Sequence, residues 1–313
     1  NNMKIVQVVN SLSSSSIPLE VATEMAKIED VEIISLFENK KFNNQKYILT
    51  TTFINYKRFG GIISLYKIYK FLKKQKPDII HVHHTLSGFF VSLVSIFFRK
   101  TDLISTIHRE VKTLSFYQNI LWTIIVNRSK KVICNSKTTK KSFHKWQYLF
   151  FDKEKLNIVY NGVNVDFVKS CKNNQDIKLL NKQKNYFKFL NVGRLIPEKN
   201  QAFLIKAFKE FNIKYPFTEL IIVGDGILKS ELIELCRKLD LNDKITFTGS
   251  IEREEVYAYM NNTDIFVIPS TTEGFGNALI EALCANIPVI ASDIQTFNEI
   301  LDNNDVLFFN PYK

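Results

Sequence analysis

Two carboxylates stand eight residues apart in the stretch EGFGNALIE, Glu273 to Glu281, with two of the chain's ten glycines between them. The stretch follows an apolar run, Ile265-Phe-Val-Ile-Pro-Ser270, so it reads as strand, loop, helix. The helix should begin near Gly276–Asn277 and carry Leu279 and Glu281. Glycines ahead of a helix let backbone N–H groups approach a ligand closely. The unpaired N–H groups of a first turn suit an anion. Glu281, one turn in, can accept two neighbouring hydroxyls, as a ribose diol offers. Glu273, ahead of the loop, can hold another hydroxylated group. Sugar, diphosphate and ribose in sequence outline a nucleotide sugar. A diphosphate also needs cations, and NVGRLIPEKN supplies Arg194 and Lys199 just past another strand. Arginine offers phosphate a planar fork, lysine a mobile point charge. Singly, each residue has an ordinary reading: Glu281 as an exposed helix position, Arg194 as half of a surface ion pair with Glu198.

The elements that must position these groups alternate along the whole chain. In the N-terminal half, MKIVQVV, VEIISLF, DIIHVHH, DLISTIH and KVICNS are strand-like, with helix-length segments between them. One of these, Ile62–Lys76, is amphipathic and stops before Pro77. A second alternating set begins at FKFLNVG and runs through TELIIVGDG, KITFTGS, DIFVIPS and PVIASD. Between the sets, residues 168–185 are rich in lysine and asparagine and carry no strand signal. The expectation is an α/β chain of two parallel-sheet domains, 1–167 and 186–313, joined by a 168–185 linker. The natural ligand site of such a chain is the cleft where strand C-termini face each other.

The order and wording of NVGRLIPEKN, LIIVGDGILKSELIEL, ITFTGSIEREEVYAYM and DIFVIPSTTEGFGNALIEALCANIPVIASD resemble glycosyltransferase family 4, the retaining GT-B enzymes of bacterial surface-polysaccharide type. The Glu-x7-Glu element at Glu273 and Glu281 is that family's signature. DIIHVHH, ISTIHRE, KVICNSK and IVYNGVNVDFV match more loosely, so the likeness covers nearly the whole chain and is strongest from Lys188 to Asp293. It implies the GT-B fold, two Rossmann-like domains facing across a cleft, the first on the acceptor side and the second binding the nucleotide sugar. It makes Arg194 and Lys199 the diphosphate clamp, Glu281 the ribose ligand and Glu273 the carboxylate near the donor sugar. Gly274, Phe275, Gly276, Asn277 and Leu279 become a backbone cradle, and Ile251 meets the base. His108 becomes the histidine beside the donor sugar, although Arg109 follows it where the family often has aspartate. Ser13, Ser14, Ser15 and Ser16 stand where the family has a glycine-rich loop, as a phosphate or acceptor loop. The donor base is not readable from the residues, and uridine ahead of guanosine is the base-rate expectation. The likeness implies no cofactor and no metal, and further helices beyond Lys313. It implies a glycan or lipid-linked acceptor. A sugar-nucleotide epimerase on the same architecture, or a non-catalytic nucleotide- or carbohydrate-binding subunit, are the other readings.

The remaining signals bound these expectations. The chain has 313 residues and a net charge of +11. Residues 51–150 hold 18 Lys+Arg against 3 Asp+Glu, while 166–313 hold 17 against 20. A basic first half suits an anionic membrane surface, with Lys67, Lys70, Lys73 and Lys74 on one side of the amphipathic helix and Leu65, Tyr66, Tyr69 and Leu72 on another. Aromatic and basic residues interleave there as they do in some nucleic-acid binders, but the resemblance favours a membrane and no nucleic acid. The longest apolar stretch, Thr85–Phe98, is too short to span a bilayer. The start is strand-like at once, so no leader is read. Four dispersed cysteines read as reduced thiols of a cytoplasmic protein, and the basic first half with the resemblance leads to the expectation that it is peripheral at the inner face of the membrane. VGDG lacks the third glycine of a dinucleotide fingerprint and reads as a tight turn. His81, His83 and His84 have no partner ligand pattern for a metal and are expected to line the cleft or pack at a strand end.

Overall fold

The computed structural model describes residues 2–12, 16–38, 49–56, 61–171 and 185–312. The chain divides into two compact units at Tyr160 and Asn161. In the first, strands β1 (Lys4–Val9), β2 (Asp30–Ser35), β3 (Thr50–Phe53), β4 (Ile79–Val82), β5 (Asp102–Ile107), β6 (Lys131–Cys134) and β7 (Leu156–Ile158) form one parallel sheet in the order β3-β2-β1-β4-β5-β6-β7. Its helices are α1 (Ile17–Met25), α2 (Gly61–Gln75), α3 (Thr85–Val94), α4 (Phe116–Arg128) and α5 (Lys137–Lys141). In the second, β8 (Phe187–Val192), β9 (Thr218–Val223), β10 (Ile245–Gly249), β11 (Ile265–Ile268), β12 (Val289–Ser292) and β13 (Leu307–Phe309) are parallel in the order β10-β9-β8-β11-β12-β13. Its helices are α6 (Val165–Ser170), α7 (Gln201–Lys214), α8 (Lys229–Lys238), α9 (Arg253–Asn261), α10 (Asn277–Cys284) and α11 (Gln295–Asn298).

Sheets covered on both faces need strands that are apolar on both faces, and β9, Thr-Glu-Leu-Ile-Ile-Val, is buried at every position. In both units the first strand is central and the order reverses beside it, between β1 and β4 and between β8 and β11. Chains leave those neighbouring strand ends in opposite directions, which opens a crevice at their carboxyl ends. In the second unit the seam is also thinly paired. β8 runs in register with β9 from Phe187 to Val192, but meets β11 only at Phe189 and Leu190. One residue further on, the buried Asn191 side chain takes over, its Nδ2 donating to the Val267 carbonyl at 2.8 Å.

Three edge strands, β3, β7 and β13, are absent from the sequence reading. They are three or four residues long, too short for a periodicity to register. The expected boundary at 167/168 falls inside α6, whose Val168 is fully buried in the second unit's core. Asn261 Nδ2 donates to the Val168 carbonyl at 2.9 Å. The division lies at 160/161 instead, and residues 172–184 of the expected linker lie outside the described residues.

α2 lies within one residue of its expected span, but its faces differ. Leu72 is core, and Leu65 and Tyr69 pack half-buried against the same core. The exposed apolar side chains are Ile62, Ile63 and Tyr66. Lys67 Nζ donates to the Ile54 carbonyl at 2.9 Å, while Lys70, Lys73 and Lys74 are exposed. Among the described residues, no helix is long and apolar enough to cross a membrane.

Candidate functional site

The second unit's groups gather at the β8/β11 reversal. Arg194 follows β8 in a loop that glycine makes possible. Gly224, after β9, has φ +138°, and a Cβ there would lie 2.0 Å from the Gly193 carbonyl oxygen. A Cβ on Gly226 would lie 2.4 Å from the Leu195 carbonyl oxygen. The loops after β8 and β9 are thus in backbone contact on both sides of Arg194. Gly193 N–H donates to the Val223 carbonyl and Leu195 N–H to that of Asp225. The Arg194 side chain is left exposed, with no hydrogen bond or ion pair to a described residue, Glu198 included.

Lys199 closes a short helical turn, Pro197–Lys199, and reaches across to the loop after β11. Its Nζ forms an ion pair with Glu273 Oε1, which Ser270 Oγ also meets, at 2.8 Å. Thr271 N–H donates to the Glu198 carbonyl at 2.9 Å, and Thr296 Oγ1 to the Glu273 carbonyl at 2.9 Å. The cation from one side of the reversal and the carboxylate from the other are therefore locked together.

α10 begins as expected, at Asn277, with Gly276 as its N-cap at φ +91°. A Cβ there would lie 2.5 Å from the Phe297 ring, so both the dihedral and the space ask for glycine. Leu279 is fully buried, and its N–H donates to the Gly276 carbonyl at 3.0 Å. That removes Leu279 from the cradle and leaves the N–H groups of Asn277 and Ala278 without a backbone acceptor among the described residues. Asn277 Oδ1 accepts from Asn161 Nδ2 at 2.8 Å. Phe275 is buried in the same loop beside Gly274. Ile251, past β10, packs half-buried against the second unit's core.

Glu281 is not an exposed helix position. It is 7% exposed, and its Oε1 pairs with Arg253 Nη2 and accepts from Tyr257 Oη at 3.3 Å. Arg253 Nε also meets Tyr257 Oη. Its other oxygen, Oε2, has no hydrogen bond to a described residue. Arg253 and Tyr257 escaped the sequence reading. They sit four apart on α9, so they share a face, but nothing local ties that face to a residue on α10.

In the first unit, residues at the β1/β4 reversal form a histidine cluster. His83 Nε2 lies 2.9 Å from Gln7 Oε1, and His83 Nδ1 lies 3.1 Å from His108 Nε2. His81 Nε2 lies 2.7 Å from Thr106 Oγ1, and Asn10 N–H donates to His84 Nδ1 at 3.3 Å. Asn135 Nδ2 donates to the His108 carbonyl at 3.2 Å. Burial pushes His108 down to about 3 and His81 to about 4, and burial with the neighbouring imidazoles holds His83 well below its ordinary range. All three rings are neutral at physiological pH. Ser16 is described, half-buried and ahead of α1. Ser13, Ser14 and Ser15 lie outside the described residues.

Two family models match the chain. The model for Glycosyltransferase Family 4 matches residues 19–167, and that for Glycosyl transferases group 1 matches residues 172–312. A curated relative from Escherichia coli, UDP-Gal:alpha-D-GlcNAc-diphosphoundecaprenol alpha-1,3-galactosyltransferase, is 29% identical over 77% of this chain and 64% of its own length. The Salmonella typhimurium O-antigen chain mannosyltransferase RfbU is 34% identical over 62% of this chain and 51% of its own. The alpha-monoglucosyldiacylglycerol synthase of Acholeplasma laidlawii is 28% identical over 81% of this chain and 68% of its own. The matches to the first two thus span about half to two thirds of those relatives. Among solved structures, Anabaena HepE in complex with UDP and glucose superposes with a TM-score of 0.84 at 20% identity, covering 99% of this chain and 86% of that one. The fold is GT-B.

Proposed function

We propose a reaction for a chain that belongs to the family 4 glycosyltransferases: it moves a sugar from a nucleotide diphosphate sugar to an acceptor hydroxyl. The observation that carries this is the meeting, at one strand-order reversal, of a guanidinium with no partner among the described residues, a lysine–carboxylate pair and a helix start. Negative charge grows on the diphosphate as the sugar departs. Arg194, Lys199 and the N–H groups of Asn277 and Ala278 are fixed donors for that charge, set in place before it appears. They supply the positive field that a metal ion would otherwise bring. Glu281 Oε2 accepts the ribose hydroxyls, with Arg253 and Tyr257 holding the other oxygen. Glu273 holds a hydroxyl of the donor sugar, Ile251 gives its backbone to the base, and His108 accepts a further sugar hydroxyl.

A uridine donor is supported by the E. coli relative's name and by the UDP bound in HepE. The family signature supports retention of anomeric configuration by front-side attack. Thermal stabilisation by a panel of nucleotides and nucleotide sugars tests the donor, because a ligand that binds only the folded state raises Tm. UDP and a UDP-sugar are expected to stabilise most, and NMR of the product to show the donor's anomeric coupling preserved. No stabilisation by any nucleotide would remove the donor class, and an inverted coupling would remove retention.

A lipid-linked acceptor at an anionic membrane is supported by the diphosphoundecaprenol and diacylglycerol in two relatives' names, and by the exposed Lys70, Lys73 and Lys74 of α2 beside Ile62, Ile63 and Tyr66. Each lysine near such a surface contributes about 1 kcal/mol, screened by salt. In flotation with anionic vesicles the chain is expected to rise at low salt and stay down at high salt. The Lys67/Lys70/Lys73/Lys74→Glu variant is expected to stay down in both. Wild type at the bottom at low salt, or a floating variant, would favour a soluble acceptor.

A further inference from the structure

We propose that Gln7 and His83 are positioning residues that fix His108 as its Nε2–H tautomer, with Nδ1 presented as a bare lone pair. The role this gives His108 rests on its reading as a residue of the donor sugar. The placement of the proton does not.

The direction of the relay follows from what each atom can do. Gln7 is fully buried in β1 and has a neighbour at each end of its amide. Its Nε2 lies 3.4 Å from Met25 Sδ, and its Oε1 lies 2.9 Å from His83 Nε2. A thioether accepts and cannot donate, so the NH2 faces Met25 and the carbonyl faces His83. A carbonyl oxygen only accepts, so the proton between Gln7 and His83 belongs to His83 Nε2. His83 is 3% exposed and has only imidazoles and amides around its ring nitrogens. A neutral ring with its proton on Nε2 has a lone pair on Nδ1. That nitrogen sits 3.1 Å from His108 Nε2, so the shared proton is the one His108 carries. One neutral ring holds one N–H, and His108 Nδ1 is left bare. It has no hydrogen bond to a described residue. His108 therefore accepts from a hydroxyl and donates to none, and it brings no charge. The sequence hid this relay because its three members come from β1, the end of β4 and the end of β5, with successive members 76 and 25 residues apart.

The test is spectroscopic and uses the full chain labelled with 15N-histidine at neutral pH. Long-range proton–nitrogen correlations are expected to show His108 Nε2 protonated and Nδ1 in the lone-pair range. In His83→Phe the acceptor is gone, and the His108 nitrogens are expected to move toward the average of mixed tautomers. In His83→Asn an amide oxygen replaces Nδ1 as acceptor, and the wild-type pattern is expected to return. A merely structural role for His83 would not be rescued in this way. Should His83→Phe fail to fold, Gln7→Met removes the acceptor at the far end of the relay, and the same averaging is expected. A protonated Nδ1 on wild-type His108, an imidazolium there, or a pattern unmoved by both His83→Phe and Gln7→Met would overturn the proposal. Titration with UDP-glucose then separates it from the reading it rests on. A shift of His108 Nδ1 on binding supports the sugar role. The expected tautomer with no such shift keeps the relay and removes that role.

Discussion

Lys199→Ala is expected to weaken UDP binding more than Arg194→Ala does, and replacing Glu273 as well should restore part of the loss. Either cation offers phosphate a charge-assisted hydrogen bond worth roughly 1.5–3 kcal/mol, or about one to two decades of affinity. The two differ in what they leave behind. The Arg194 guanidinium is exposed and has no partner among the described residues, so its removal deletes a donor and leaves no described group unpaired. Lys199 neutralises Glu273, whose side chain is 10% exposed. Without it a half-dry carboxylate faces an incoming dianion, and like charges in such a setting repel strongly. Lys199→Ala/Glu273→Gln removes the repulsion along with the cation and should approach the affinity of Arg194→Ala. Titration calorimetry with UDP ranks the four proteins. Unchanged affinity in both single variants would remove the clamp, and a double variant weaker than Lys199→Ala would remove the charge argument.

Gly224→Ala should be the most damaging single methyl group in the second unit. The added Cβ would stand 2.0 Å from the Gly193 carbonyl oxygen, at a φ of +138° that L residues rarely adopt. Backbone has no rotamer with which to yield, so β8 and β9 must part where their loops touch. Strain of that kind costs about 1–3 kcal/mol and forced overpacking a similar amount. For a unit of this size each kcal/mol lowers Tm by roughly 2–4 °C, so a fall of about 5–15 °C is expected by calorimetry. Gly162→Ala is the control, because nothing lies within 4 Å of its added Cβ. A Gly224→Ala protein melting with the control would show that the two loops are not pressed together. The same methyl group displaces Arg194, so nucleotide affinity should fall even in the fraction that folds.

The sequence carried the fold where apolar runs were long, and the site where motifs kept their parts within one loop. Glu273, Gly276 and the start of α10 were legible together because they are neighbours in the chain. Short edge strands were not, since three residues cannot display a period. Partnership across the sheet was not legible either. Glu281 reads in sequence as a ribose ligand or an exposed helix position, and neither reading shows Arg253, 28 residues earlier, lying against it. His83 reads as one of three clustered histidines until Gln7, 76 residues earlier, is seen against it. Spacing reports what lies on one element, while these pairs are made by the order in which strands assemble.

The strand-order reversal between β8 and β11 divides the second unit's candidate ligand groups into two sets. On one side stand β8, β9 and β10 with Arg194 and Lys199. On the other stand β11, β12 and β13 with Glu273 and α10. Two ladder positions, the Asp264 N–H to the Lys188 carbonyl, Asn191 and the Lys199–Glu273 pair join the two sides, and apolar side chains from both pack in the same cores. A diphosphate held as proposed, by cations from one set and a helix start from the other, would be a rivet through both. On that proposal, its departure as product would remove a tie between the two sets that the free chain lacks.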